Sequence, residues 1–450
     1  MVQVLEKKKF NRELIVLAIP LALQQLLNAL VGATDALVLG RLTQEAIAGV
    51  SLANQISFIM SLFNGAIIGA VGILIAQYWS KEEYDKARRF LGMSIRYVTL
   101  ISVLFSFSAY FFSEQLMRIF TLEKELVTIG AEYLKIVSFS YLLTGLSQCF
   151  LMIMKPSGYA KISVWISAMM VIVDVIADIF LVYGFKGFGE FGANGTAYST
   201  IAVEGIALIW CIIWSCKVEN VKLGKSDLFK FSRAFERDIW KLIPGMLTSS
   251  LSWGLSISMH SFIIGHLGTD ATAAYSIVGV TQQLIQCITH GLSAGTGIII
   301  GGLLGKNELD KAKDYGKQFW NVSAISGIIN VCLIAIAGPI VCTFYVLEPQ
   351  AKTYLIEMLI FMAVYMFAYA YNTIITCGVF PAGGDSKYDA ISVVIATWCF
   401  AIPFSLLGCF VFNWPVMVVF VVMSLDEIVK VPFIKWRYNK YIWLKNLTTD

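Results

Sequence analysis

Acidic side chains are rare inside the apolar stretches of this chain, and three of them share a pattern. Asp35 stands four residues before Leu39, near the end of an apolar run over 14–39, and Asp174 and Asp178 stand near the end of another, over 162–184. Thr196 and Thr200 open the following run, over 192–215. Successive membrane-crossing runs reverse direction, so Leu39, Tyr183 and Gly192 belong to one side. At about 1.5 Å of rise per residue, Asp35, Asp178 and Thr196 then lie at nearly one depth. Asp174 and Asp178 are four apart and share a helix face. Two carboxylates this close in a poorly hydrated bundle cannot both ionise at low cost, so the pair is expected to accept a proton at physiological pH. A Na⁺ ion bound by Asp35, Asp174 and Asp178 would offset the same charge, because hard cations take oxygen ligands. The cation expected there is H⁺ or Na⁺, and no other cofactor is expected.

Other polar groups interrupt the apolar runs. Glu204 is in mid-run, where it could carry a second proton or meet a cationic ligand directly. Gln24, Asn54, Gln148, Gln282 and Gln286 are amides in apolar surroundings, where interhelical hydrogen bonding is the ordinary role. With Tyr141, Met259 and His290 they could also line a cavity, since flexible Met and flat aromatic side chains suit loose recognition of varied apolar ligands. His260 and His290 read as interhelical hydrogen-bonding groups or as a pair that titrates near neutral pH. Asp426, Glu427 and Lys430 are explained by an i,i+3 or i,i+4 pair.

The elements that must position these residues are membrane helices. The 450 residues are 58% hydrophobic and 14% charged, against about 25% charged in a soluble domain. Apolar stretches of about 20 residues span a bilayer as helices. Twelve such runs occur, at 14–39, 47–78, 91–113, 128–153, 162–184, 192–215, 240–265, 272–303, 316–345, 354–378, 389–411 and 414–436. No sustained alternation of the β-barrel kind appears. The fold class is therefore all-α and polytopic. With the N-terminus inside, all but six of the 34 Lys and Arg fall on the inner side, the exceptions being Arg41, Arg118, Lys124, Lys135, Lys186 and Lys352. This asymmetry places both termini in the cytoplasm and the chain in the plasma membrane. The basic clusters at Lys7-Lys8-Lys9 and over 217–241 read as topology signals beside anionic lipid, not as a nucleic-acid surface. The first 13 residues are polar and the first run is long enough to span, so no cleaved signal peptide is expected.

The chain also repeats itself. Lys81-Glu82-Glu83-Tyr84-Asp85-Lys86-Ala87 returns half a chain later as Lys306-Asn307-Glu308-Leu309-Asp310-Lys311-Ala312. Pro20 pairs with Pro244, Gly40 with Gly265, and Gly158-Tyr159-Ala160-Lys161 with Gly384-Asp385-Ser386-Lys387. The expected division is a first lobe of six helices over 1–216, a polar cytoplasmic linker over 217–239, and a second lobe over 240–450. Six is even, so the lobes enter the membrane in the same sense, as a parallel repeat about an axis normal to it. Pro20 and Pro244 should kink the first and seventh helices. The nine cysteines carry no metal-ligand spacing and read as small core residues. No H-E-x-x-H, G-x-S-x-G or phosphate-loop pattern occurs, which disfavours an enzyme, and no filter-like repeat suggests a channel.

Thr34-Asp35-Ala36-Leu37-Val38-Leu39-Gly40-Arg41-Leu42, followed by Ala46 to Ala53, has a second-half counterpart in Phe262 to Gly268 and Ala271 to Ser276. Pro156-Ser157-Gly158, Pro381-Ala382-Gly383-Gly384 and Gly192-Ala193-Asn194-Gly195 add to these. In order and duplication they make the chain resemble the multidrug and toxic compound extrusion (MATE) family along its whole length. The resemblance implies two six-helix bundles set as a V around a central cavity. It also implies cation-coupled export of amphipathic, often cationic, organic compounds by a protein expected here to be a monomer whose partners are its small-molecule substrates and membrane lipids. Members with an ion site in the first lobe match Asp35, Asp174 and Asp178, with Thr196 or Thr200 and Asn28 as further partners. Asp174 departs from the family's Asn, which adds a titratable group. Members with a second-lobe site carry acids on helices seven and ten. Here helix seven has none and helix ten has only Glu357, so coupling is expected in the first lobe. A flippase for lipid-linked saccharides, of related architecture, is the alternative. It would require a basic cavity, and Arg96 is the nearest intramembrane candidate.

Overall fold

The computed structural model describes residues 2–39, 42–184, 191–224, 227–228, 232–345 and 347–448, with side chains from Phe10 onward except at 33, 35–37 and 44. Gly40, Arg41, Lys186, parts of the 217–239 linker and the Asp35 side chain thus lie outside the described residues.

Every regular element among the described residues is a helix. In the first half these are α1 (Val2–Leu39), α2 (Gln44–Ser80), α3 (Tyr84–Phe111), α4 (Ser113–Phe120), α5 (Lys124–Val137), α6 (Ser140–Met154), α7 (Ala160–Tyr183) and α8 (Asn194–Lys217). In the second half they are α9 (Arg233–Gly265), α10 (Thr269–Gly305), α11 (Leu309–Phe344), α12 (Pro349–Thr373), α13 (Phe380–Ala382), α14 (Ser386–Val393), α15 (Ile402–Phe410), α16 (Val416–Met423) and α17 (Leu425–Asn439). Wider π-helical turns fill Lys155–Tyr159, Ile374–Val379 and Val394–Ala401.

All twelve apolar runs are helical, but four are interrupted, the run over 354–378 by the π turns that begin at Ile374. The run over 128–153 divides into α5 and α6 at Ser138-Phe139, where the Ser138 and Ser140 hydroxyls donate back to the carbonyls of Lys135 and Val137 at 2.7 Å. The run over 389–411 is two helices joined by a π segment, and the run over 414–436 breaks at Ser424. Nine helical stretches among the described residues are long and apolar enough to cross a membrane. The serine-rich α9 and the interrupted α16–α17 fall outside that set, and one stretch, Ser140–Tyr183, joins two expected helices. Gly158 sits at the junction with φ +84, a left-handed conformation that glycine adopts without a Cβ penalty.

Burial is arranged for a lipid surrounding. On α7 the outward residues Trp165, Ile172, Ile176 and Ile179 are large and apolar, each more than half exposed. The buried face holds Ser163, Ser167, Asp174 and Asp178. A soluble helix shows the opposite pattern.

The chain divides into two compact units, one of Leu26–Arg237 and one of Met1–Gln25 with Asp238–Asp450. The first 25 residues, expected in the first lobe, therefore belong with the second half. Phe10 meets Tyr315 and Phe319 edge-on at 4.9 and 4.8 Å between centroids. Ala22 approaches so closely that a Cβ on Gly291 would stand 2.4 Å from its backbone nitrogen. The start of α9 behaves reciprocally. Phe235 packs on Phe90 at 4.8 Å, and Glu236 takes a hydrogen bond from Tyr97 and pairs with Arg96 at 3.5 Å, all in the first-half unit.

In the unit holding the second half, the segment that follows α17 packs into the core. Trp443 is fully buried in a cluster with Phe10, Tyr315, Phe319, Phe380 and Tyr438. Its carbonyl lies where a Cβ on Gly383 would be, 1.5 Å away. Trp443→Ala is expected to cost about 3–5 kcal/mol of stability, the usual cost of emptying a large buried aromatic site, read as a lower thermal unfolding midpoint in detergent. In the other unit, a Cβ at Gly195 would stand 2.7 Å from the carbonyl carbon and oxygen of Leu181. Gly195→Ala should push α7 and α8 apart at a cost of about 1–3 kcal/mol. An unchanged midpoint for Gly195→Ala would show that the two helices have room to spare.

Candidate functional site

The close approach at Gly195 determines the geometry of the first-half site. It sets the opening turns of α8 against the end of α7, so that Thr196 and Ser199 enter the same buried layer as Asp174 and Asp178. Asp178 and Ser199 are 0% exposed, Thr196 1% and Asp174 2%. The Ser199 hydroxyl donates to Asp174, reaching Oδ1 at 3.3 Å and the backbone oxygen at 3.4 Å. Thr196 donates to the Ala193 carbonyl at 3.0 Å, and Thr200 donates to the Thr196 carbonyl at 2.9 Å. Both hydroxyls therefore keep acceptor lone pairs available. Tyr183 fastens α7 to α1 by donating to the Val38 carbonyl at 2.5 Å, within one turn of Asp35 along the helix.

The expected cluster is thus brought together in part. Asp174, Asp178 and Thr196 share one dry layer, and Thr200 lies one turn further along α8, half-buried. Asn28 is exposed on α1 and does not join that layer. Ser199 was missed by sequence reading. It is one helical turn from Thr196, and the signal that could have found it is its place on the helix face that Gly195 presses toward α7.

Glu204 continues the stripe of Thr196 and Thr200 along α8. It accepts a hydrogen bond from Ser147 on α6 at 2.8 Å, and the Thr144 side chain is a second partner. The carboxylate is therefore held by hydroxyl donors within the first-half bundle.

The other expected cavity residues divide between the two units. In the first-half unit, Tyr141 is 2% exposed and accepts from Ser57 at 3.0 Å, while Asn54 accepts from the Tyr133 hydroxyl at 3.2 Å. Gln148 is half-buried. In the other unit Gln24 and Gln286 are buried, Met259 and Gln282 are half-buried, and His290 shares a 3.1 Å hydrogen bond with Tyr369. Tyr141, Gln24 and Gln286 are thus closed into the packing. Neither Glu204 nor any of these eight lines the cavity of about 480 Å³ bounded by His266, Tyr354, Glu357, Asn413 and Trp414.

Sequence reading treated Asp426, Glu427 and Lys430 as a local pair near a helix end. Glu427 does pair with Lys430, three residues on. The same residues also meet Asp389 and Asn372 from two other helices, in a buried group that periodicity alone does not reveal.

A family model described as MatE matches residues 20–180 and 244–407, one match in each half. Among curated proteins, the chain is 22% identical over 427 residues to an uncharacterized transporter, YisQ, of Bacillus subtilis, covering 95% of this chain and 93% of that one. It is 24% identical over 375 residues to a probable multidrug resistance protein, NorM, of Agrobacterium fabrum, covering 81% and 77%. The multidrug resistance protein PmpM of Pseudomonas aeruginosa is 20% identical, with 87% and 82% covered. Among solved structures, a MOP superfamily transporter from Pyrococcus furiosus superposes with a TM-score of 0.87 at 16% identity, covering 96% of each chain. A multidrug resistance MATE transporter in an outward-facing conformation gives 0.83 at 16% identity, covering 95% of this chain and 96% of that one. Two matched segments, one in each half, and a shared fold along nearly the whole length lead to one conclusion: the chain belongs to the MATE family of multi-pass membrane transporters.

Proposed function

We propose that this protein exports amphipathic, cationic organic compounds across the plasma membrane in exchange for a cation, H⁺ or Na⁺, which loads at Asp174 and Asp178. The observation that carries this reading is the buried layer shared by Asp174, Asp178, Thr196 and Ser199, where two carboxylates four residues apart are closed off from water. A cation bound in such a layer would offset the charge of the paired carboxylates. Coupling then follows if cation and substrate prefer opposite conformations, because each shifts the population away from the other. Asp35, on the helix fastened to α7 through Tyr183, completes the proposed ligand set. Thr196 and Thr200 supply hydroxyl oxygens, and Asn28 serves as an accessible polar residue on the same helix as Asp35.

Export also agrees with the names of relatives such as NorM and PmpM, which describe multidrug resistance. The inner-side excess of Lys and Arg supports cytoplasmic termini. Glu204, held by Ser147 and Thr144, is the first-half carboxylate proposed to face a cationic substrate.

The reading is tested by ethidium efflux from reconstituted vesicles under a pH gradient or a Na⁺ gradient imposed separately. Efflux by the wild type should follow one of the two gradients, and Asp178→Asn should reduce it by about tenfold or more, a barrier change of about 1.4 kcal/mol. Efflux that is unchanged in Asp178→Asn would remove coupling from this layer. Absence of gradient-driven ethidium movement in the wild type would overturn the export reading and favour a lipid-linked substrate.

A further inference from the structure

The second half contains a buried charged group that neither the repeat nor the first-half site explains. Asp389 lies in the first turn of α14, and its Oδ2 accepts from the Ser249 hydroxyl of α9 at 2.6 Å. Asp426, at the start of α17, accepts from Thr397 at 3.1 Å and from the Glu427 backbone N–H at 2.8 Å. Glu427 accepts from Asn372 of α12 at 2.8 Å and pairs with Lys430. Lys430 is in electrostatic reach of all three carboxyl groups. Asp389 is 8% exposed, Asp426 and Lys430 7%, and Glu427 6%.

The charges in this group do not balance. One ammonium faces three carboxyl groups, and the other polar partners are neutral: Ser249, Thr376, Thr397 and Asn372. The titratable groups around the cluster are also neutral in their ordinary state. Tyr275 of α10 lies near Asp426, Tyr365 near Asp426 and Glu427, Tyr369 near Glu427, and Cys377 near Asp389. His290 reaches the cluster only through Tyr369. Elsewhere in this unit a carboxylate and a cation are matched one to one. Asp385 and Arg437 show this nearby, with two 2.7 Å hydrogen bonds between one carboxylate and one guanidinium. A buried carboxylate lacking a cationic partner is unfavourable, and taking up a proton removes that penalty.

A second observation points to the missing component. Asn372 is 2% exposed, its Nδ2 is committed to Glu427, and its buried Oδ1 has no hydrogen-bond partner. That oxygen can only accept a hydrogen bond, so a donor such as a protonated carboxyl or a water would satisfy it. The backbone is distorted on both sides of the group. One π segment begins two residues after Asn372, and another contains Thr397. Such insertions in helices recur at functional sites.

We propose that Asp389, Asp426 and Glu427, gathered around Lys430, form a second proton-binding site in the second half of the protein, filled in one state of the transport cycle and emptied in another. A carboxylate oxygen takes the proton from water and returns it to water, with no other bond made or broken. Its link to transport rests on the exchange reading above, whereas proton binding by the cluster does not.

The test begins with purified wild-type protein, whose infrared carboxylic-acid band needs no variant. A buried protonated carboxyl should give such a band near neutral pH, and Asp389→Asn or Asp426→Asn should reduce it while the protein keeps its thermal unfolding transition. The second measurement is proton release into weakly buffered detergent solution when ethidium binds. The wild type should release protons, the double variant Asp389→Asn/Asp426→Asn fewer, and Asp178→Asn should retain the share due to this cluster. A wild type lacking the infrared band, or variants that leave both the band and the release unchanged, would overturn the proposal. Replacement of proton release by a requirement for Na⁺ that the Asp389 and Asp426 variants abolish would overturn it in favour of a sodium site. If the double variant does not fold, the single variants Asp389→Asn and Asp426→Asn decide the matter, each compared with Asp178→Asn, whose band should keep the share due to this cluster. Failure of ethidium to bind the wild type would overturn the export reading, while the band and its loss in Asp389→Asn would still test the cluster.

Discussion

A carboxylate that leaves water for the interior of a membrane protein must find charge, hydrogen bonds or a proton inside the protein, because the surrounding lipid offers none. This constraint shapes both halves of the transporter. On α7 it turns the usual amphipathic pattern inside out, with tryptophan and isoleucine outward and serine and aspartate inward. It also explains why hydroxyl side chains gather where the acids are: Ser199 beside Asp174, Ser147 beside Glu204, Ser249 beside Asp389 and Thr397 beside Asp426. A hydroxyl donates one hydrogen bond without introducing a charge. It therefore steadies an ionised carboxylate only partly, and the group remains able to take up a cation.

Close helix contacts and local departures from α-helical geometry place these groups. Gly195 lets α8 lie against the Leu181 backbone, which brings Thr196 and Ser199 to the acids of α7. In the second half the placement comes from widened turns and breaks: π segments after Thr373 and Val393, and the interruption at Ser424 just before Asp426. The two halves repeat in sequence yet differ in buried chemistry. Asp174 and Asp178 stand toward the end of α7, whereas Asp389 stands in the first turn of α14, which opens the equivalent helix of the second half. A duplicated scaffold thus carries acids at opposite ends of matching helices.

Much of this architecture was legible in the sequence. A run of some twenty apolar residues has few options in a membrane, so all twelve runs proved helical, and the repeat of K-x-E-x-D-K-A pointed to two like halves. Breaks inside runs were less legible. Ser138 and Ser140 lie among apolar neighbours, and a hydropathy pattern does not register a hydroxyl that bonds back to the preceding turn. The membership of the first 25 residues was hidden for a different reason. Phe10 and Ala22 meet Tyr315, Phe319 and Gly291, hundreds of residues away, and no local pattern announces that contact.

The candidate sites divide along the same line. Sequence alone determined that Asp174 and Asp178 share a helix face, since a spacing of four fixes that in any α-helix, and that they face away from lipid, since ionised groups in hydrocarbon are too costly. It determined the family through the order and duplication of short motifs. Only the tertiary structure decided that Ser199 bonds Asp174, that Asn28 stays outside the buried layer, and that Asp426, Glu427 and Lys430 meet Asp389 and Asn372. Those residues come from three separate helices, and their meeting depends on how the helices pack and where their turns widen. Helix periodicity assigns each residue a face, and packing alone decides what that face meets.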